Sequence, residues 1–99
     1  MVVGVLVCDL LLGDVRSLKQ KRSVVRPIVA ELGRRFAVSV AETGEQDLHR
    51  RCEISVALVT GERAHAVDVL AQCERLVAGH PEAELLSTRT RVLDGEDLN

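Results

Sequence analysis

Aromatic side chains are almost missing from this 99-residue chain: tryptophan and tyrosine are absent and Phe36 is the single phenylalanine. A sheet face that reads RNA by stacking bases needs exposed rings, so that mode of recognition is not expected. Cysteine is scarce as well. Cys8, Cys52 and Cys73 form an odd set at wide spacing inside apolar patterns, which points to reduced, buried thiols and away from a disulfide framework. No Cys-x-x-Cys pair occurs, and His49, His65 and His80 are scattered, with only His49 and Cys52 at loop spacing. No metal is expected from such a set. Gly13 and Gly44 stand alone, without a GxGxxG or P-loop pattern, so no nucleotide cofactor is expected either. The opening run MVVGVLVCDLLL ends at Gly13 and Asp14 after about twelve residues and lacks a basic leader. A membrane helix needs roughly 20 apolar residues, so neither a membrane span nor a signal peptide is expected, and the setting is expected to be cytoplasmic.

What the chain does have is aliphatic bulk. Hydrophobic residues make up 46% of it, mostly Val, Leu and Ala, enough for one domain that buries roughly 60 to 65% of its unfolded surface. That domain is placed at residues 1–93, followed by an acidic, Gly-interrupted tail at 94–99 that is expected to fray. No low-complexity segment or short-period repeat is present. The formal net charge of −2 conceals a dipolar chain. Between Arg16 and Arg35 seven basic side chains face one acid, Glu31, and the remaining residues hold six of the 13 basic and fourteen of the 15 acidic groups. A local cationic surface of this kind is a better pointer to an anionic partner than the overall pI of about 5.9.

Periodicity divides the chain into six elements. Val2 to Leu12 is apolar in both alternating phases, Val3, Val5 and Val7 on one side and Gly4, Leu6, Cys8 and Leu10 on the other, which suits a central strand. Asp9 is expected to be solvated. Ser17 and Gln20 resemble a capping box, and Leu18, Val25, Ile28, Val29, Leu32 and Phe36 follow helical spacing. Pro27 conflicts with a helix running through it, so the helix is expected to begin near Ser23, with Ser17 to Arg22 as a loose turn at its entrance. Ala37 to Glu42 is a strand with Val38 and Val40 inward. TGEQDLHRR is then long enough to hold a turn of its own, capped by Asp47. Cys52 to Thr60 is a strand with Ile54, Val56 and Leu58 on one face and Glu53, Ser55, Ala57 and Val59 on the other. Thr60 is expected to cap a helix running to Ala78, with the stripe Ala66, Val69, Leu70, Cys73, Leu76 and Val77, closed by Gly79. Glu84 to Leu93 is a last strand, with Leu86, Thr88, Thr90 and Val92 in one phase.

Strand, helix, strand, strand, helix, strand is the split β-α-β-β-α-β order of an α+β, ferredoxin-like domain. Right-handed crossovers put the first and third strands at the centre of a four-stranded antiparallel sheet, with two helices on one face. The other face is left bare. Ser39, Ala41, Ser55 and Ala57 fall on it with Val59, small side chains without charge or rings, so a homodimer through this face is expected.

Two further groups of residues are candidate sites. Lys19, Lys21, Arg22, Arg26, Arg34 and Arg35, joined by Arg50 and Arg51, could contact a phosphate backbone or another anion, strengthened by the amino end of the helix. The plain alternative is a solvated helix face. Glu42, Asp47 and His49 flank the long loop and could share a site for proton transfer. Against this, Glu42 would simply end a strand, paired with Arg34 or Arg50, and Asp47 would cap a turn. The segments SLKQKR, RRFAVSVAE, GEQDL and VALVTGERAHAVDVL resemble the YlxP-like family, a group of small bacterial proteins catalogued as domain of unknown function 503. The resemblance runs from Val5 to about Leu93. It implies a ferredoxin-like fold, a bacterial cytoplasmic setting and, from the family's gene neighbours in translation initiation and ribosome maturation, a role near the ribosome. It carries over no catalytic residues. The family commonly has a tryptophan after Asp47-Leu48, where this chain has His49. The function expected is therefore that of a non-enzymatic, homodimeric protein that binds RNA or a ribosomal partner through its basic helix entrance. The alternative is a dimeric protein–protein or small-anion regulatory module without a nucleic-acid role.

Overall fold

Side-chain burial alternates without a break along β1 (Val2–Leu12): each even-numbered residue is buried and each odd-numbered one half-exposed. The same alternation in β3 (Arg51–Thr60) buries Cys52, Ile54, Val56 and Leu58. These two strands pair antiparallel from Val2–Thr60 to Leu11–Arg51 and form the centre of a sheet of order β2-β3-β1-β4. The edges are β2 (Ser39–Gly44) and β4 (Ala83–Leu93). Helices α1 (Leu18–Arg35) and α2 (Arg63–Ala78) cover the face with the even-numbered residues. The computed structural model describes residues 1–98, and its architecture is the β-α-β-β-α-β, ferredoxin-like fold. No helix among the described residues is long and apolar enough to cross a membrane.

α1 begins five residues earlier than Pro27 suggested. Ser17 is the N-cap, its hydroxyl accepting from the Gln20 amide at 3.1 Å, and the Gln20 side chain accepts in return from the Arg16 amide at 2.6 Å. These bonds satisfy amides that a helix start leaves open. Pro27 lies inside the helix on its exposed side. There the Ser23 carbonyl that loses its partner can turn to water. The interior proline costs about 3 kcal/mol, and burial of Val24, Val25, Ile28 and Leu32 on the opposite side offsets it.

Other boundaries move for local reasons. β2 starts two residues later than alternation alone suggested, and residues 46–50 form turns and bends, not a helical turn capped by Asp47. Thr60 does not cap α2; its hydroxyl accepts from the Glu62 amide at 3.3 Å, and Glu62 is the N-cap residue, with no side-chain cap. In β4 the register slips, Asp9 facing Ser87 but Leu10 facing Leu85, so Leu86 is the extra residue of a bulge. Ala83 and Leu85 consequently point inward before the bulge and Thr88 and Val92 after it, while Leu86, placed inward by simple alternation, is 44% exposed. Asp94 to Leu98 forms a turn, with the Asp97 carboxylate accepting from the Asp94 amide at 2.9 Å; Asn99 lies outside the described residues.

The core contains no ring. Leu6, Leu10, Leu12, Ile28, Leu32, Ile54 and Leu70 are its largest members, and Phe36 only packs against its margin. Gly4 sits where α2 crosses β1: a Cβ there would lie 2.9 Å from Leu58 Cδ2, 3.0 Å from Leu70 Cδ1 and 3.4 Å from the Ala66 methyl. The missing side chain lets the helix descend onto the sheet. Gly4→Val is expected to lower stability by about 1–3 kcal/mol through overpacking. Urea unfolding checks this: the midpoint should fall while the slope against denaturant stays unchanged.

Candidate functional site

Lys21 was expected at the surface among the anion-binding residues, but it is 3% exposed and is the one buried charged side chain among the described residues. It lies on the core side of α1 with Val24, Val25 and Ile28. A lysine ammonium has three N–H donors, and three acceptors meet this one: the Glu45 carbonyl at 2.6 Å, the Leu48 carbonyl at 2.8 Å and Glu42 Oε2 at 3.2 Å. Lys21 is thus a fully satisfied staple between α1, the end of β2 and the 45–50 loop. Glu45, which it holds, is the one described non-glycine residue with a positive φ, 62°, and just before it the β2–β3 register slips between Glu42 and Gly44.

Glu42 belongs to this corner, and its partners are Lys21 and the Cys52 thiol, at 3.4 Å, instead of Arg34 or Arg50. Burial first, and the hydrogen bond and charge of Glu42 second, push the Cys52 thiol up to about 12. Cys8 is also pushed up to about 12, chiefly by burial. Thiols in that state are inert as nucleophiles at neutral pH. Asp47 and His49 are exposed and make no hydrogen bond or ion pair among the described residues. The groove that Glu42 lines includes neither of them. Among the described residues, no group of three or more His, Cys, Asp or Glu is placed to hold a metal.

The remaining basic residues separate by location. Lys19, Arg22, Arg26 and Arg34 are exposed, project from the outer side of α1 and have no ion-pair partner among the described residues. Arg35 is paired with Glu31 at 3.4 Å and lies over the Phe36 ring, 5.8 Å from its centroid. Arg50 belongs elsewhere, its Nε donating to the Leu12 and Gly13 carbonyls at 3.2 and 3.0 Å. Arg51 opens β3 in the phase opposite Cys52 and so lies on the bare side of the sheet.

A groove of about 510 Å³ runs between α1 and β2, a feature that sequence spacing did not reveal. Leu18, Val25, Val29 and Ala30 form its helix wall, and Glu42 and Gln46 its far wall. Arg22 and Arg26 border both this groove and a second hollow over Lys19, Ser23 and Pro27. The signal for the groove was present in the apolar positions Leu18 and Val29, which helical spacing marks without saying that they stay half-exposed.

The bare sheet face differs from expectation at one end. Ser39, Ala41, Ser55 and Ala57 lie on it with Val3, Val5 and Val7, as register requires. Beyond them Glu53 pairs with Arg89 at 2.9 Å and accepts from Thr43 at 2.9 Å, and Asp9 accepts from Ser87 at 3.0 Å. Along β4 Arg91 stands opposite Val5 and Arg89 opposite Val7 on this same side, so the face is apolar only around Val3, Ala57 and Val59 and is ionic at the other end and along the β4 edge.

Removing the staple should show how much depends on it. Lys21→Met leaves Glu42 unpaired and two loop carbonyls without a donor, and is expected to cost about 3–5 kcal/mol. The double variant Lys21→Met/Glu42→Leu should recover part of that loss. A double-mutant cycle by denaturant unfolding measures both.

The model of the family described as "Protein of unknown function (DUF503)" matches residues 3–90. The chain is also similar to the uncharacterized protein YlxP of Bacillus subtilis (strain 168), with 32% identity over 88 residues, 89% of this chain and 96% of that protein. With the fold and an almost full-length match in agreement, the chain belongs to the DUF503 family of proteins of unknown function.

Proposed function

We propose that this is a non-enzymatic, cytoplasmic protein that binds RNA, free or within a ribonucleoprotein, through the outer side of α1. One observation carries the reading: Lys19, Arg22, Arg26 and Arg34 lie exposed along one helix, and no carboxylate neutralises them among the described residues. The span from residue 19 to residue 34 is about 22 Å at the helical rise, long enough to follow several phosphates. Phosphate contacts of this kind give affinity without sequence reading. The engagement of Glu42 with Lys21 and Cys52, and the lack of any hydrogen bond or ion pair at Asp47 or His49 among the described residues, support the non-enzymatic part.

Binding of a short structured RNA should weaken with salt. Four phosphate contacts imply a log–log slope of about −2.8 for single-stranded and about −3.6 for duplex-like RNA, a loss of roughly 50- to 150-fold between 50 and 200 mM salt. Arg22→Glu/Arg26→Glu should abolish binding while leaving thermal unfolding unchanged. Fluorescence anisotropy against a salt series checks both, and binding that ignores salt or survives the double variant would favour a protein or small-anion partner. Lys21 is unsuitable for this test, because its replacement disturbs the fold.

A second copy is the proposed partner for the bare side of the sheet. The four strands, of 11, 6, 10 and 11 residues, offer on the order of 600 Å² at about 3.4 Å per residue and about 4.8 Å between strands, the low end of a specific interface, whose standard is roughly 800 Å² per partner. Val59, 71% exposed, lies on it beside Val3 and Val5. Sedimentation should give a dimer that Val59→Glu converts to a folded monomer.

A further inference from the structure

We infer that the groove between α1 and β2 receives one unstacked base of single-stranded RNA while Arg22 and Arg26 hold the phosphates on either side of it. This rests on the RNA reading above and narrows it to a class of RNA. A row of surface cations alone would bind duplex and single strand alike. Here the same two arginines also form the rim of a cavity of about 510 Å³, within the size range of small-molecule pockets.

The walls suit a base in kind as well as in size. Leu18, Val25 and Val29 present an apolar surface for the face of a ring, and the guanidinium planes at the rim can stack on the other side, as arginines do on splayed-out bases. Across the groove stand polar groups for a base edge. Gln46 Nε2 donates to the Glu42 carbonyl at 3.3 Å, which leaves its amide oxygen directed to other donors. The Glu42 carboxylate spends Oε2 on Lys21 and Cys52, and Oε1 has no partner among the described residues, free to accept from a ring or amino N–H. Lys21 matters indirectly here: by neutralising Glu42 from the buried side, it keeps that carboxylate from repelling the phosphates at the rim. The stacking role that rings usually play is thus assigned to aliphatic and guanidinium surfaces, in a chain with a single phenylalanine.

Three measurements at fixed salt test this: the affinity of a single-stranded oligonucleotide, the affinity of an A-form duplex of equal charge, and the fluorescence of a 2-aminopurine placed in the single strand. The single strand should bind about tenfold more tightly, and the 2-aminopurine signal should rise as its base leaves the stack. Ala30→Leu, an exposed position on the groove wall, should erase both effects while leaving duplex affinity and salt slope unchanged. Equal affinity for the two forms, or an unaltered preference in Ala30→Leu, overturns the groove assignment and leaves phosphate binding in place. No salt-dependent binding of either form overturns both. Binding of an acidic, leucine-bearing peptide that Ala30→Leu abolishes, without oligonucleotide binding, assigns the groove to a protein partner and overturns the inference.

Discussion

Three hydrogen bonds from one buried ammonium fix the corner of the molecule on which its surface features depend. An unpaired charge in the core costs several kcal/mol, so Lys21 can be buried only when the Glu45 and Leu48 carbonyls and the Glu42 carboxylate are brought to it. The segment they belong to is polar and would otherwise have little reason to adopt one conformation. Closing it against α1 sets the position of Glu42 and Gln46, and with them the far wall of the groove. Lys21, expected among the residues that hold an external anion, instead holds an internal one.

Much of this was legible from residue order, and what escaped has physical causes. β3 could be read to the face because a two-residue period leaves no freedom once one side is apolar, whereas β1, apolar in both phases, could be placed at the centre of the sheet but not oriented. That is why Ser55 and Ala57 were placed correctly. β4 failed at Leu86 because a bulge inserts one residue and reverses the phase beyond it, and nothing local marks an insertion that exists only relative to the partner strand. The start of α1 was misjudged because the proline rule concerns an interior position in isolation, whereas Pro27 faces solvent on a helix whose other side is deeply buried. Lys21 escaped for the opposite reason. Its spacing, three, four and seven residues before Val24, Val25 and Ile28, marks the buried side of the helix, but charge outweighed geometry in the reading of the sequence.

The bare side of the sheet shows why small, uncharged residues in two strands do not describe a surface. Ser39, Ala41, Ser55 and Ala57 come from β2 and β3 alone; β1 and β4 bring Asp9, Arg89 and Ser87 onto the same side through register. Glu53 is satisfied within the chain by Arg89 and Thr43, so that end gains little by meeting another protein. The end at Val3 and Val59 holds no such ion pair, although Arg91 stands beside Val5 there. Any covering contact should therefore be displaced toward the beginning of β1, away from the Glu53–Arg89 pair.

The placement of the two surfaces limits how they could cooperate. Both helices cover one side of the sheet, so the cationic side of α1 and the bare strands point in opposite directions. A second copy on the bare side would leave both α1 surfaces outermost. The layers between them are two sheets about 10 Å apart and a helix of about 10–12 Å diameter on each outer side, which puts the cationic stripes on the order of 30 Å or more apart. An oligonucleotide shorter than the path around the dimer can occupy only one stripe, and its affinity then reports a single site whatever the oligomeric state. A long RNA that reaches both gains from effective concentration, and only in the dimer. Dimerisation would then change affinity for long ligands without altering any residue that touches them, so ligand length separates the contribution of α1 from that of the sheet.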